Sequence, residues 1–491
     1  MNRRQFIANT SATLALSSCA GHRLIVGATE RCLQRIDEID KHGSAINSVI
    51  EVNPDARSIA EVLEGKPQMS ALHGVPILIK DNIETADAME TTAGSLALAG
   101  SKPKRDAFIV ERLRASGLVL LGKTNLSEWA NIRSSKSTSG WSARGGLTRN
   151  PHRLTHNTSG SSSGSAAAVA AGLVSLAIGT ETNGSIVSPA SACGIVGFKP
   201  TVGMVSRTGI IPITHWQDTA GPMARTVREA AILMNVIAGI DDRDAMTKGA
   251  RVTDFTVGLR ADVLKGKRLG VVHAMTGENA QVLALFEQSL KAMRDAGAII
   301  VDPVELPHRD EINRPAFLAM LTEFREDLNA YLRERGASVK SLAEVIAFNE
   351  MHREHELPHF GQDFFELAEK LGTEEAIALA KEARAEARRL AGPDGIDAAL
   401  REHQLDALIC PTNDPIHKTD LANGDARVRV SSSPAAIAGY PHLTVPMGFV
   451  DDLPVGLSFF GAAWSDASML SLGYGFEQVL PAFREPKFRA D

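Results

Sequence analysis

"SAAAVAAGLVSLAIGTETNGSIVSP", residues 165–189, reads as helix, strand, turn and helix in succession. Small residues up to Gly172 suit a closely packed helix, Leu173 to Ile178 is an apolar run of strand length, and "GTETNG" is turn chemistry. A helix is expected to begin at Ser185. A buried strand that ends in a tight turn before a helix is the α/β pattern in miniature. The same turn carries chemistry. Thr182, Asn183, Gly184 and Ser185 place four backbone N–H groups near a helix N-terminus, where negative charge is favoured. Donors fixed before charge develops are what an oxyanion hole requires. Ser185 therefore reads as a nucleophile, yet no histidine stands near it to take its proton. A plain capped turn is the competing reading.

The flanking text extends the α/β pattern. "GVPILIKDNIE", residues 74–84, is a buried strand ending at Lys80, and "DAFIVERLRASGLVLLGKTN", residues 106–125, gives a helix, a stop at Gly117 and a second buried strand. Residues 24–65 carry helical periodicity. The stretch from Trp141 to Gly164 is rich in Gly, Ser, Thr and Asn and reads as a long loop, a length usually kept for function. Residues 276–402 are charge-laced and helical, as in "TEEAIALAKEARAEARRLAG", and read as a helical insertion or lid. The sheet is expected to resume at "LDALICPT" (405–412), followed by "HLTVPMGF" (442–449) and "VGLSFFG" (455–461).

Composition narrows the function classes. The chain has 491 residues, 52 basic and 58 acidic side chains and a net charge of −6. It has no Lys/Arg block of the kind that tracks a phosphate backbone, which excludes nucleic acid as an expected partner. Cys32, Cys193 and Cys410 are widely spaced and form neither a disulfide framework nor a CxxC site; buried free thiols are expected. His73, His152, His156 and His215 lack metal-ligand spacing and read as structural. The N-terminus "MNRRQFIANTSATLALSSCAG", residues 1–21, has the layout of an export signal of the twin-arginine type, and "LSSC" resembles a lipoprotein box that would leave Cys19 lipidated. No later run reaches the roughly 18–20 apolar residues of a membrane span. The expected organisation is a signal over 1–21 and one catalytic domain over 22–491.

Two serines compete as nucleophile. "GSSSG", residues 160–164, matches the G-x-S-x-G elbow and would nominate Ser162, but "NPHRLTHNTS" before it is loop where the elbow needs a strand. Ser185 has the better context, and a lysine is the available base. Lys80 ends a strand of Ile and Leu, where desolvation disfavours the ammonium. Lowering a lysine by roughly 3 pH units corresponds to about 4–5 kcal/mol. A surface ion pair with Asp81 is the alternative reading of Lys80.

Taken together, "GVPILIKDNIE", "LVLLGKTNLSEWAN", "GSSSGSAAAVAAG", "GTETNGSIVSPASACGIVGFKPTVG" and "GYPHLTVPMG…LPVGLSFFG" resemble the amidase signature family, in its usual order and over nearly the whole chain after the signal. The resemblance implies an α/β fold with a large, mixed, twisted central sheet covered by helices on both faces. It implies a Ser–cisSer–Lys triad of Ser185 as nucleophile, Ser161 as bridging serine after a cis Gly160–Ser161 bond, and Lys80 as base. Thr182, Asn183 and Gly184 fall on the family's oxyanion turn. No metal and no organic cofactor are implied. Asn183 stands where the family more often has Gly or Asp, and Ser159 and Ser163 stand where glycines are more usual. Within the family the chain resembles most the bacterial peptide amidases, through "KTNLSEWANIR", "SGWSARGGLTRNP" and "GIIPITHWQDTAGPMART". That implies removal of C-terminal amides from peptides with release of ammonia. The alternatives are hydrolysis of aryl acylamides or other small amides, the synthetic role of a tRNA-dependent amidotransferase, and a non-catalytic binding protein. Trp129, Trp141 and Trp216 are expected in or beside the active-site loops.

Overall fold

The structure, a computed structural model, describes residues 24–426 and 428–490; the expected signal over 1–21, with Cys19, lies outside them. The strands are β1 (Val49–Val52), β2 (Pro76–Lys80), β3 (Val119–Thr124), β4 (Trp141–Ser142), β5 (Gly146–Leu147), β6 (Leu176–Glu181), β7 (Val196–Lys199), β8 (Thr219–Ala224), β9 (Arg268–Val271), β10 (Ile299–Val301), β11 (Ala407–Pro411), β12 (His442–Val450) and β13 (Leu453–Phe460). Eleven of them form one mixed sheet in the order β1-β3-β2-β6-β8-β7-β12-β13-β11-β9-β10, and β4 and β5 make a separate two-stranded ribbon. This is the large mixed sheet, with helices around it, that the sequence resemblance implies.

Strand alternation explains why both faces are covered. Ile77, Ile79, Leu120, Leu176 and Ile178 join one apolar cluster, while Leu78, Val119, Leu121 and Ala177 join another. Successive side chains on a strand point to opposite faces, so a sheet apolar at both parities must be buried on both sides. Lys80 shares the parity of Leu78, on the face covered by the helix Ser163–Ala170. That helix contains only Ser, Gly, Ala and Val and is wholly buried against β2, β3, β6 and β8. Its small side chains bring two backbones together. At Gly164 an added Cβ would lie 2.3 Å from the Ser48 carbonyl oxygen and 2.4 Å from that of Asn125, so glycine permits the approach.

Several elements depart from the sequence expectation. The stretch 24–65 is not all helix: Val49–Val52 is an edge strand, antiparallel to β3, between the helices Leu24–Arg35 and Ala56–Glu64. The strand expected at Leu173–Ile178 runs from Leu176 to Glu181, because the helix before it ends in a turn at Gly172 with a left-handed φ of 71°. The next helix begins at Val187 rather than Ser185. The long loop from Trp141 holds the β4–β5 ribbon, and its last residues already belong to the helix that starts at Ser163. The insertion expected over 276–402 starts later. Helix Ala280–Asp295 packs Val282, Phe286, Leu290 and Met293 into the main core, and β10 extends the sheet parallel to β9. The all-helical stretch runs from Asn313 to Glu402. Its helix Asn313–Arg335 sets Leu321, Phe324 and Leu328 against Trp129, Ile211 and Ile213 from loops of the sheet layer. Cys32, Cys193 and Cys410 are free and buried.

Candidate active site

The ends of β2 and β6 and the start of helix Ser163–Ala170 meet at Lys80. Its side chain is fully buried. Its Nζ donates to Ser161 Oγ at 2.7 Å, to Thr180 Oγ1 at 2.9 Å and, at 3.4 Å, to the Thr180 carbonyl. Register accounts for the meeting: β2 runs parallel to β6 with Ile79 opposite Ile178, which carries the end of β2 to Thr180. Burial pushes the Lys80 ammonium down to about 7, against the opposing pull of the Asp218 and Glu181 carboxylates. The surface ion-pair reading of Lys80 is thereby excluded. Asp81 turns the other way, accepting from the hydroxyl and N–H of Thr92 and from the N–H of Gly94.

The Gly160–Ser161 peptide bond is cis. The adjoining Ser162 N–H donates to the Ser185 carbonyl at 3.1 Å, which staples the serine loop to the turn that carries Ser185. Ser162 itself is fully buried, and its hydroxyl is committed twice to one residue: it donates to the Thr180 carbonyl at 3.0 Å and accepts from the Thr180 N–H at 3.1 Å. A hydroxyl closed on the backbone in this way is a brace. The elbow reading of Ser162 therefore fails in space as well as in sequence context.

The turn is held from several sides. Thr182 Oγ1 donates to Asp218 Oδ1 at 2.6 Å. Gly184 has φ +85°, where a Cβ would also come within 2.9 Å of Ser432 Oγ. Asn183 Oδ1 accepts from Ser432 Oγ at 2.6 Å and its Nδ2 donates to Ser433 Oγ at 3.3 Å, so its side chain ties the turn to the loop before helix Ser433–Ala438. Glu181 Oε2 accepts from the N–H groups of Ile186 at 2.8 Å and Val187 at 3.1 Å. The helix end that sequence reading offers to an oxyanion is thus already occupied by a carboxylate. What stays open is the turn itself. Among the described residues, the N–H groups of Thr182, Asn183, Gly184 and Ser185 meet no backbone acceptor.

Sequence reasoning missed Thr180, Asn82 and Asp218. Thr180 Oγ1 accepts from Asn82 Nδ2 at 3.0 Å as well as from Lys80, and the Asp218 carboxyl is pushed up to about 6 by burial despite three hydrogen bonds. Only "IKDN" hints at them, by placing a second polar residue two positions beyond the lysine. A narrow recess lined by Asn82, Ala130, Thr180, Thr182, Ile211 and Asp218 lies beside this group. It shares Arg207, Ile210 and Asp218 with a cavity of about 650 Å³ that opens against helix Asn313–Arg335. Of the expected tryptophans, Trp129 packs edge-on against Phe365, Trp141 against His359 and Phe360, and Trp216 lies under the Arg388 guanidinium at 4.8 Å. All three link the sheet layer to the helical layer. His152 Nε2 donates to the Cys193 carbonyl and His215 pairs with Asp327. Among the described residues no group of three or more His, Cys, Asp or Glu is placed to hold a metal ion, and no helix is long and apolar enough to cross a membrane.

The fold and its relatives define an amide-hydrolysing enzyme. The amidase family model matches residues 27–470. The native peptide amidase of Stenotrophomonas maltophilia is 48% identical with a TM-score of 0.90, over 95% of each chain. A probable amidase of Arabidopsis thaliana is 41% identical over 475 residues, 93% of this chain and 87% of that one. A component of the glutamyl-tRNA(Gln) amidotransferase of Chloroflexus aurantiacus is 35% identical over 96% of both. The chain belongs to the amidase signature family.

Proposed function

We propose that this protein hydrolyses the C-terminal amide of peptides by way of an acyl-enzyme on Ser185, with Ser161 and Lys80 as its proton relay. The observation that carries the reading is the buried contact of Lys80 Nζ with Ser161 Oγ at 2.7 Å, in surroundings that hold the lysine near neutrality. Neutral Lys80 takes the Ser161 proton while Ser161 takes that of Ser185, and the freed Oγ bonds to the amide carbon. The carbonyl oxygen gains the negative charge within reach of the N–H groups at 182–185. The relay then returns the proton to the amide nitrogen, the C–N bond breaks and ammonia leaves. Water repeats the sequence on the ester and releases the peptide acid and Ser185.

A peptide substrate is favoured by the 48% identity to a peptide amidase against 35% to the amidotransferase component. The roles of Thr182, Asn183 and Gly184 as oxyanion donors belong to the same proposal, as do a single catalytic domain over 22–491 and export by the signal at 1–21. The deciding experiment is ammonia release from a peptide amide, set beside cleavage of an aryl anilide, by wild type and Ser185→Ala. Peptide deamidation that disappears in Ser185→Ala is expected. Anilide cleavage without deamidation would overturn the substrate, and an active Ser185→Ala the nucleophile.

A further inference from the structure

We infer that Gln217 and Arg384 are positioning residues that aim the Asn183 N–H at the reacting carbonyl, so that one oxyanion donor is oriented from the helical layer. The inference rests on the acyl-enzyme reading above. Gln217 lies in the loop before β8, Arg384 on helix Glu374–Ala391, and each is only 2% exposed. Arg384 grips Glu323 of helix Asn313–Arg335 with two bonds, Nε to Oε1 at 2.9 Å and Nη2 to Oε2 at 2.7 Å. Its Nη1 donates to Gln217 Oε1, and Gln217 Nε2 donates to the Thr182 carbonyl at 3.1 Å.

The direction of this chain follows from donor and acceptor arithmetic. A guanidinium only donates, so the group of Gln217 that faces it is the amide oxygen. The amide nitrogen is thereby turned to Thr182, where it finds the carbonyl. The Thr182–Asn183 peptide is trans and planar, and in such a unit the C=O and N–H point in opposite directions. Fixing the carbonyl from one side fixes the Asn183 N–H towards the other, and among the described residues that N–H meets no backbone acceptor. Independent bonds hold the frame around it. Asp218 receives the Thr182 hydroxyl on one oxygen and the N–H groups of Ile213 and Thr214 at 2.7 and 2.9 Å on the other. Thr214 Oγ1 returns to Glu323 Oε2 at 2.5 Å, closing the circuit between the turn, the 213–218 loop and the two helices. An interface that served only to dock helices would need the Arg384–Glu323 pair and nothing beyond it.

Gln217→Glu separates the two roles. The carboxylate keeps the bond from Arg384 and the docking of the layer, but it has no donor for the Thr182 carbonyl and sets an oxygen against it. The probe is a peptide aldehyde, which forms a hemiacetal with Ser185 and draws on the same donors as the transition state. Expected are a kcat about 10- to 100-fold below wild type with KM within about two-fold, and an aldehyde inhibition constant raised by the same factor as kcat falls, the scale of a misaligned oxyanion donor. Arg384→Lys keeps a charge for Glu323 but frees the Gln217 amide to turn over, and both values should move the same way by a smaller factor. Wild-type kcat in Gln217→Glu, or a fall in kcat with aldehyde inhibition unchanged in both variants, would overturn the inference. A wild-type rate in Ser185→Ala would instead overturn the nucleophile, so the two failures are told apart.

Discussion

Two lysines sit at the ends of adjacent parallel strands, Lys80 on β2 and Lys123 on β3, with Ile79 of β2 opposite Lys123. Both are fully buried, and burial pushes both below the ordinary value, Lys80 to about 7 and Lys123 to about 8. Each meets a threonine hydroxyl, and the second partner differs. Lys80 donates chiefly to two hydroxyls, Ser161 and Thr180, groups that both accept and donate. Lys123 donates to the Ile83 carbonyl and Thr91 Oγ1, and the Asp81 and Asp87 charges act to keep it protonated. Desolvation alone does not make a base. The proposed relay needs a hydroxyl that can pass a proton onward; the Ile83 carbonyl at Lys123 cannot, and the Thr91 hydroxyl is itself turned onto that carbonyl at 3.3 Å.

The largest expected effect removes the lysine proposed as base. Lys80→Met should lower kcat/KM by about 10³-fold or more, the loss of the relay's base, measured by ammonia release. The same variant should be more stable than wild type at pH 7, by on the order of 2 kcal/mol in denaturant titration, since burying an amine far below its unfolded value of about 10.4 disfavours folding. The sign is fixed by proton counting. Between about 7 and 10 the unfolded chain binds more protons at this site than the folded one, so wild-type stability rises with pH and the gap should close by pH 10. A less stable Lys80→Met at pH 7 would break the comparison.

Lys123→Met should do the reverse. Asp81 loses a charge partner inside the protein and keeps Arg144 at 3.6 Å, so stability should fall by about 3 kcal/mol while kcat per folded molecule stays within about three-fold. A loss of rate as large as that of Lys80→Met would make Lys123 part of the chemistry. The neighbouring serines extend the contrast: Ser162→Ala breaks two bonds to Thr180 and should cost about 1–2 kcal/mol in stability with the acyl-enzyme still forming, as read by mass spectrometry of a slow ester. The smallest effect is a shift in the pH profile. The log of kcat/KM should climb with pH and level off above about 7, where Lys80 is neutral; Thr180→Val removes an acceptor that favours the ammonium and should move that limb down by roughly half a unit.

Most of this site was legible because its parts are written as short local patterns. Lys80 ends a run of Ile and Leu, Ser185 follows Asn-Gly, and the serine loop precedes a helix of small residues. Val49–Val52 was hidden because its four residues lie between two true helices and are only half buried, so alternation is too brief to oppose the helical period. β10 was hidden for the same reason, three residues inside a charged helical stretch. Thr180 and Asp218 act through strand register and a loop crossing, neither of which is a sequence distance. Gln217 and Arg384 stand on separate elements, joined only when the helical layer docks.

One earlier contact bears on how turnover ends. Hydrolysis of an amide leaves a carboxylate where a neutral group had been, and a bare helix N-terminus would hold that anion. Here the Glu181 carboxylate already covers the N–H groups of Ile186 and Val187. The acid product finds the helix end behind Ser185 already taken, which leaves the turn at 182–185 as the open set of backbone donors there.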